Sequence, residues 1–368
     1  MKKKHILPDG LAVYGALLLL LSLGLIAFLF PQSFSDWEKR YLAKAPAHFD
    51  PVEWTLNNDT ETYLSDQVPL RRWLVNLHAQ SLALTGRAVQ LDAWPQGSAI
   101  IEKPVAASAG ALQSRADALA AFAGDIPHHF LTPPTPGSLL RNEMGAARRA
   151  VYDQEAALYA VLSQRADFVP LADAFEGHAD AYYYRTDHHW TLDGAYTAYR
   201  RYCQAAGLAP AALEAFSLTR YAPFLGSTYS RSGLPFASAD TLHCAEPNAA
   251  LTLTIADDGS EYDRLIFPEQ AATYDGYTVY LRGNHGLLFI ETPDAPERTL
   301  LLCKDSFANS LIPFLTANFS RIVAVDARYY SGSFRDALAA AGNVDEILFL
   351  YSLDSLANDT SILRKLRQ

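Results

Sequence analysis

Cysteine is scarce in this chain of 368 residues: Cys203, Cys244 and Cys303 stand far apart, and no Cys-x-x-Cys pair occurs. That excludes a cysteine zinc knuckle and a disulfide-stapled scaffold, and leaves room for one disulfide with one thiol left over. Basic charge is in deficit too. The formal net charge is −10, and without a clustered basic face a nucleic-acid partner is not expected. Short-period repeats are absent, and the Ala-rich stretch from Ala106 to Ala123 is the sole biased tract. Half of the residues are hydrophobic, so the chain can bury a sizeable core as one large or two modest domains.

A long apolar run does occur, once, from Leu11 to Phe30, directly after Lys2, Lys3, Lys4 and His5. Its length suits a helix spanning a bilayer, and the basic end is expected to stay in the cytoplasm. The alternative is a cleaved signal peptide, but its apolar region is usually shorter and no small-x-small site follows Phe30. The expectation is an uncleaved single-pass anchor with everything after it extracytoplasmic. Residues 1–30 then form the basic end and anchor, 31–105 an anchor-proximal helical region, and 106–368 an α/β domain carrying a β-rich insertion at 208–298.

The stretch from Glu61 to Ala83 has amphipathic helical character and contains Asp66-Gln67-Val68-Pro69-Leu70-Arg71, whose Asp–Arg pair beside a proline reads as structural. Strands are expected at Ile100–Val105, at Pro127–Thr132 and at Phe168–Leu171. Helices are expected from Ala111 to Gly124 and, as one long element, from Ser138 to Gln164. Strand, helix and strand imply a parallel βαβ unit. Short strand candidates at Leu251–Ile255, Tyr277–Tyr280 and Gly286–Ile290 alternate with turn residues in the β-rich region. The chain then returns to α/β logic: strands at Thr299–Cys303, Arg321–Val325 and Ile347–Tyr351, with helices at Phe307–Phe319 and Phe334–Ala341. Such units make a doubly wound parallel sheet whose ligands bind beyond the carboxyl ends of its strands.

The chemistry-bearing stretch is Thr186-Asp187-His188-His189-Trp190-Thr191, just before a helix with Thr191 as N-cap and Asp193 in its first turn. In an extended segment residues i and i+2 share a side, so Asp187 and His189 can face one site while His188 faces away. A carboxylate beside an imidazole fixes its tautomer and frees the other nitrogen as a base. The serine such a dyad needs stands at Ser306, after the Thr299–Cys303 strand and at a helix start. Backbone N–H groups there, that of Phe307 among them, can face a developing oxyanion. Asn284 in the Gly283-Asn284 loop and Asn309 are side-chain candidates for the same task. Arg328 and Tyr329, after a strand, are candidates for binding a sugar. His188 and Trp190 are assigned supporting roles. A metal site with His188 or His178 added is the lesser reading, because adjacent histidines of an extended segment point oppositely, which makes joint chelation by His188 and His189 awkward.

These residues resemble the DHHW proteins, relatives of alginate O-acetyltransferase-type proteins with an SGNH-hydrolase-like domain. The resemblance runs through Tyr63 to Arg71, Tyr183 to Tyr196, Gly283-Asn284, Lys304-Asp305-Ser306 and Val325 to Tyr330. Gly226 through Arg231 matches as well, without a role. Ordinary SGNH enzymes place the serine motif first and the Asp-x-x-His motif last; here Asp187-x-His189 precedes Ser306, the order of the permuted acetyltransferase branch.

The resemblance implies an SGNH-hydrolase-like, flavodoxin-like α/β fold with permuted motif order and a Ser306–His189–Asp187 triad. It implies O-acetyl transfer, or acetyl-ester hydrolysis, on a cell-surface or exported polysaccharide. The expected partners are a polysaccharide acceptor, an acyl donor and, by analogy with related pathways, a multi-spanning membrane acyltransferase. No cofactor and no metal are expected. A non-catalytic polysaccharide-binding or assembly protein of the same fold is the rival, followed by a metal-dependent hydrolase.

Overall fold

A computed structural model of the chain describes residues 7–35, 37, 40–45, 58–85, 87, 93–234, 237–273 and 275–368. The basic residues Lys2 to His5 lie outside them. The contacts divide the chain into two compact units, one of residues 1–90 with 233–235 and one of residues 91–232 with 236–368.

In the smaller unit a helix covers Leu7–Leu29. Among the described residues no helix is long and apolar enough to cross a membrane. The helix expected from Glu61 to Ala83 is two helices, Asn58–Gln67 and Arg71–Leu84. Pro69 and a left-handed Leu70 (φ 61°) separate them, since a residue at positive φ cannot continue a right-handed helix. The Asp66–Arg71 element is structural as read: buried Asp66 accepts the Ala43 N–H at 2.8 Å and faces Arg71 at 3.7 Å. Gln67 exchanges two hydrogen bonds with the Gln32 backbone at 2.8 and 2.9 Å.

The larger unit is built on one seven-stranded sheet. Numbered along the chain, its strands are β1 His128–Leu131, β2 Thr252–Ile255, β3 Ser260–Tyr262, β4 Leu287–Glu291, β5 Thr299–Lys304, β6 Arg321–Val325 and β7 Glu346–Leu350. Their order is β1-β7-β5-β6-β4-β2-β3. The first four run parallel, whereas β4, β2 and β3 are joined antiparallel. The sheet is therefore mixed rather than parallel throughout, and three of the short strands of the β-rich region extend it. The rest of that region includes a hairpin of Phe216–Phe224 with Asp240–Pro247.

Both faces of the sheet are covered, which explains the uninterrupted apolar runs of β5, β6 and β7. Side chains alternate across a strand. Leu300, Leu302, Ile322, Ala324, Leu348 and Leu350 enter one core with the helix Leu192–Ala205, while Leu301, Cys303, Val323, Val325, Ile347 and Phe349 enter the other with the helices Ala109–Ala123 and Phe334–Ala341. All three cysteines are free and buried.

Several expected elements are shorter or of another kind. The stretch from Ser138 to Gln164 is broken by Gly145 into Pro136–Leu140, a 3₁₀ turn Arg141–Glu143 and the helix Ala146–Leu162. Phe168 makes only a single parallel bridge to Phe130. Tyr277–Tyr280 is not a strand: Gly276–Val279 is a 3₁₀ turn, and Tyr280 bridges Ile266. The helix expected from Phe307 to Phe319 is a 3₁₀ segment Ser306–Ser310 followed by the short helix Ile312–Leu315, because Pro313 cannot donate within a helix interior but is suited to its first turn.

Two measurements probe this packing. Leu301 is fully buried at the centre of the sheet, so Leu301→Ala should cost about 2–5 kcal/mol in urea unfolding. Glu155, on the helix Ala146–Leu162, is buried and accepts the Val105 N–H at 2.7 Å and the Thr135 hydroxyl. Burial pushes its carboxyl up to about 7 against an ordinary 4.5. The folded chain thus holds an extra proton between those values, and the associated stability is full below about pH 4.5 and lost as pH rises through 7. Glu155→Gln should flatten that slope in urea midpoints measured across the window.

Candidate active site

The carboxyl ends of β5 and β7 are tied by one side chain. Asp305 follows β5 directly; its N–H donates to the Leu350 carbonyl (3.1 Å), and its carboxylate accepts the N–H groups of Ser352 (2.7 Å) and Phe307 (3.0 Å). Asp305 thereby caps the 3₁₀ segment that Ser306 opens, and Ser306 is left half-buried at the strand end.

Asp187, His188 and His189 lie in a bend rather than a strand. Asp187 Oδ1 accepts both the His189 N–H (2.9 Å) and His189 Nδ1 (2.5 Å). With Nδ1 donating, the Nε2 lone pair faces Ser306 Oγ at 2.8 Å. The structure therefore brings Asp187, His189 and Ser306 into one hydrogen-bonded line across a separation of 117 residues. Asp187 and His189 are both buried. Burial alone would raise the Asp187 carboxyl, but the charges of His189 and His188 and the two hydrogen bonds from His189 outweigh it and hold it well below the usual carboxylate range.

The strand-alternation argument for His188 does not hold in a bend. Its ring lies 3.9 Å from that of His189, tilted by 36°, and its Nδ1 meets Ser227 Oγ at 3.0 Å. Burial and the adjacent imidazole lower its pKa. The other face of His189 is covered by Tyr277, stacked at 3.8 Å and 7°. Asp187, His188 and His189 consequently offer ligand atoms within 4.8 Å of one another. A cation held by all three would compete for atoms already engaged in hydrogen bonds.

Trp190 is fully buried, and its Nε1–H donates to Ser310 Oγ (2.8 Å) and the Phe307 carbonyl (3.1 Å). It thus joins the bend to the serine turn. Thr191 caps the helix Leu192–Ala205, as expected, by accepting the Gly194 N–H.

Of the oxyanion candidates, the Phe307 N–H is committed to Asp305. The Asn309 amide is held at both ends, accepting from Lys304 Nζ (2.7 Å) and donating to Asn284 Oδ1 (3.0 Å). Asn284 is exposed; among the described residues its Nδ2 has no protein partner. Arg328 grips Asp326 with two nitrogens, at 2.9 and 2.6 Å, and lies 5.3 Å from the ring of the exposed Tyr329.

Sequence reasoning missed Tyr277, whose hydroxyl donates to Ser310 Oγ at 3.0 Å; nothing in a turn tyrosine marks it as a ring support. It also left the Gly226–Arg231 segment without a role. Asp187 Oδ2 accepts the Ser227 N–H (2.6 Å) and hydroxyl (3.1 Å). A Cβ on Gly226 would sit 2.2 Å from the Asp187 Cβ and 2.3 Å from its Oδ2. The bend itself is braced by Asp240, which accepts from Arg185 Nε (3.0 Å) and from the Thr186 N–H (2.9 Å) and hydroxyl (2.6 Å).

Gly226→Ala should therefore displace Asp187 from His189 and cost about 1–3 kcal/mol as an overpacked substitution. The check is the low-field proton NMR resonance of the Asp187–His189 hydrogen bond, expected in the wild type and lost in the variant; its persistence would show that this close approach is not needed.

The DHHW protein family model matches residues 149–325. Among curated proteins no sequence match is found. A solved DHHW family protein from Eubacterium siraeum DSM 15702 is 21% identical over 75% of this chain and 98% of its own, with a TM-score of 0.58. Bacillus cereus PatB1 has a TM-score of 0.60 over 73% of this chain, at 21% identity over 98% of its own chain. Its structure with a sulfonyl adduct gives the same TM-score, at 20% identity over 97%. These identities make the likeness to solved structures one of fold, a mixed α/β domain with a large sheet. The family match spans Asp187, His189 and Ser306, and with the shared fold it shows the resemblance of this chain to the DHHW protein family.

Proposed function

We propose that this chain is a membrane-anchored, extracytoplasmic serine O-acyltransferase, acetyl being the group transferred, or the corresponding acetylesterase, acting on a cell-surface or exported polysaccharide. The observation that carries the reading is the hydrogen-bonded line from Asp187 through His189 to Ser306. Ser306 Oγ attacks the carbonyl carbon of an acyl donor while its proton passes to His189 Nε2. Asp187 holds the tautomer and stabilises the imidazolium. Asn284 supplies an amide donor to the oxyanion, and collapse expels the leaving group with the proton from His189. A sugar hydroxyl or water then attacks the acyl-serine, giving its proton to His189, and Ser306 recovers that proton as it departs. Transfer and hydrolysis differ only in this acceptor.

Acetyl and polysaccharide come from the DHHW resemblance, and Arg328 and Tyr329 are the residues proposed to meet the sugar. The anchor rests on the apolar run to Phe30, much of which the helix Leu7–Leu29 contains, and on the basic residues before it. A single anchor would set the domain beside a multi-spanning acyltransferase that delivers the acyl group.

A metal-dependent hydrolase is the competing reading that the Asp187, His188 and His189 cluster permits. A cation held by His189 takes one of its ring nitrogens from Asp187 or from Ser306 and breaks the line, so the two readings exclude one another. Activity lost on chelation and restored by zinc would favour the metal.

An activated acetyl ester should leave one acetyl group on Ser306, found by mass spectrometry. PatB1 carries a sulfonyl adduct, and a sulfonyl fluoride is a second probe here. Ser306→Ala should abolish adduct and turnover, His189→Ala should lower turnover at least ~10³-fold, and Asp187→Asn severely but less completely. Full activity in Ser306→Ala, with an adduct elsewhere, defeats the assignment. For the anchor, protease added outside intact spheroplasts should digest the chain beyond Phe30; protection would overturn the topology.

A further inference from the structure

Lys304 is an unusual residue to find at the end of a central strand. Its side chain is wholly enclosed, at 1% exposure, and burying an ammonium is costly unless it is paired. Its nearest carboxylate, Asp326, stands 4.0 Å away and is already gripped by Arg328 at 2.6 and 2.9 Å. Among the described residues the one short bond of the ammonium goes instead to a neutral group, Asn309 Oδ1, at 2.7 Å.

That bond is the head of a chain. Asn309 passes its own amide hydrogen to Asn284 Oδ1, which orients the Asn284 amide and leaves its Nδ2 free to donate. Residues three apart in a 3₁₀ helix eclipse one another, so Asn309 stands on the same side of the Ser306–Ser310 segment as Ser306. Consecutive hydrogen bonds polarise each other, most strongly behind a charge in a low-dielectric interior.

We propose that Lys304 is a positioning residue for acyl transfer: through Asn309 it aligns and polarises the Asn284 amide as the oxyanion donor beside Ser306. This rests on the reading of Ser306 as the nucleophile and deepens it. Lys304 touches neither donor nor acceptor; its effect passes through two amides. Burial brings its pKa down to about 8, opposed by Asp326 and Asp305 and assisted by Arg328. His285 also faces it, and its pKa is lowered first by burial and further by the Lys304 charge. The ammonium is present below about pH 8 and is lost above it, so the oxyanion donor should weaken across the same range.

The experiment follows acetylation of Ser306 by p-nitrophenyl acetate, reading the nitrophenol burst and the adduct mass from pH 6 to 10. Wild type should show a fall in acylation rate with a midpoint near 8. Lys304→Met should lose about 10- to 100-fold in kcat with KM little changed, and should lack that fall. Asn284→Ala should do the same, and adding Lys304→Met to it should cost nothing further. Wild-type kcat and pH profile in Lys304→Met, or additive losses in the double variant, would overturn the inference. Should Lys304→Met fail to fold by circular dichroism, the profiles of wild type and the exposed-site variant Asn284→Ala decide: a fall near 8 in wild type alone supports it, and the same profile in both overturns it. Absence of burst and adduct in wild type would overturn the reading of Ser306 and this inference with it, a result distinct from a normal burst that Lys304→Met leaves unaltered.

Discussion

One buried charge organises the site. The Asp187 carboxylate is almost fully enclosed, and an ionised group taken out of water costs several kcal/mol unless it is fully hydrogen-bonded. Four bonds meet that requirement, two from its own bend and two from a segment 40 residues away: the N–H and Nδ1 of His189 on one oxygen, and the N–H and hydroxyl of Ser227 on the other. The local consequences follow. The chain must bend so that residues 187 and 189 meet, the backbone at Gly226 must come within reach, and Asp240 must brace Thr186 from behind.

The second constraint is the sheet. Four parallel strands end on one edge, and the connections leaving that edge carry Asp305, Ser306, Asp326 and Ser352, with Asp305 bonded to Ser352. Asp305 locks β5 to the residues after β7, and Trp190 and Tyr277 converge on Ser310 from the other side. Ser306 is therefore held by a strand end and a pinned 3₁₀ turn, and it is only half-buried. That arrangement suits a nucleophile whose hydrogen-bond partner must be in place before substrate arrives.

Two clusters of ionic groups fall at opposite ends of the sheet. Lys304, Asp326 and Arg328 cluster at the carboxyl end beside Ser306. At the other end, where β7 begins, buried Glu346 accepts from His129 (2.9 Å), Tyr202 (2.8 Å) and Arg298 (3.4 Å). The second cluster ties the amino ends of β1 and β7 to the helix Leu192–Ala205. The first stands behind the serine, where a charge can act on chemistry.

Local sequence determined what depends on neighbours in the chain. The apolar runs of β5, β6 and β7, the Thr191 cap and the helix Phe334–Ala341 were legible, because periodicity and capping act over a few residues. So was the pairing of Asp187 with His189, although by a bend and not by strand alternation, which is why His188 turned out beside His189 rather than opposite it. Tertiary structure alone decided the rest. That β2, β3 and β4 extend the main sheet, that Ser227 holds Asp187, that Tyr277 stacks on His189 and that Lys304 reaches Asn284 through Asn309 all depend on partners from distant segments. The Ser227–Asp187 contact spans 40 residues, the Ser306–His189 contact 117. Short-range propensity carries no information about such partners; they are selected when burial forces each polar group to find a donor or acceptor within the folded interior.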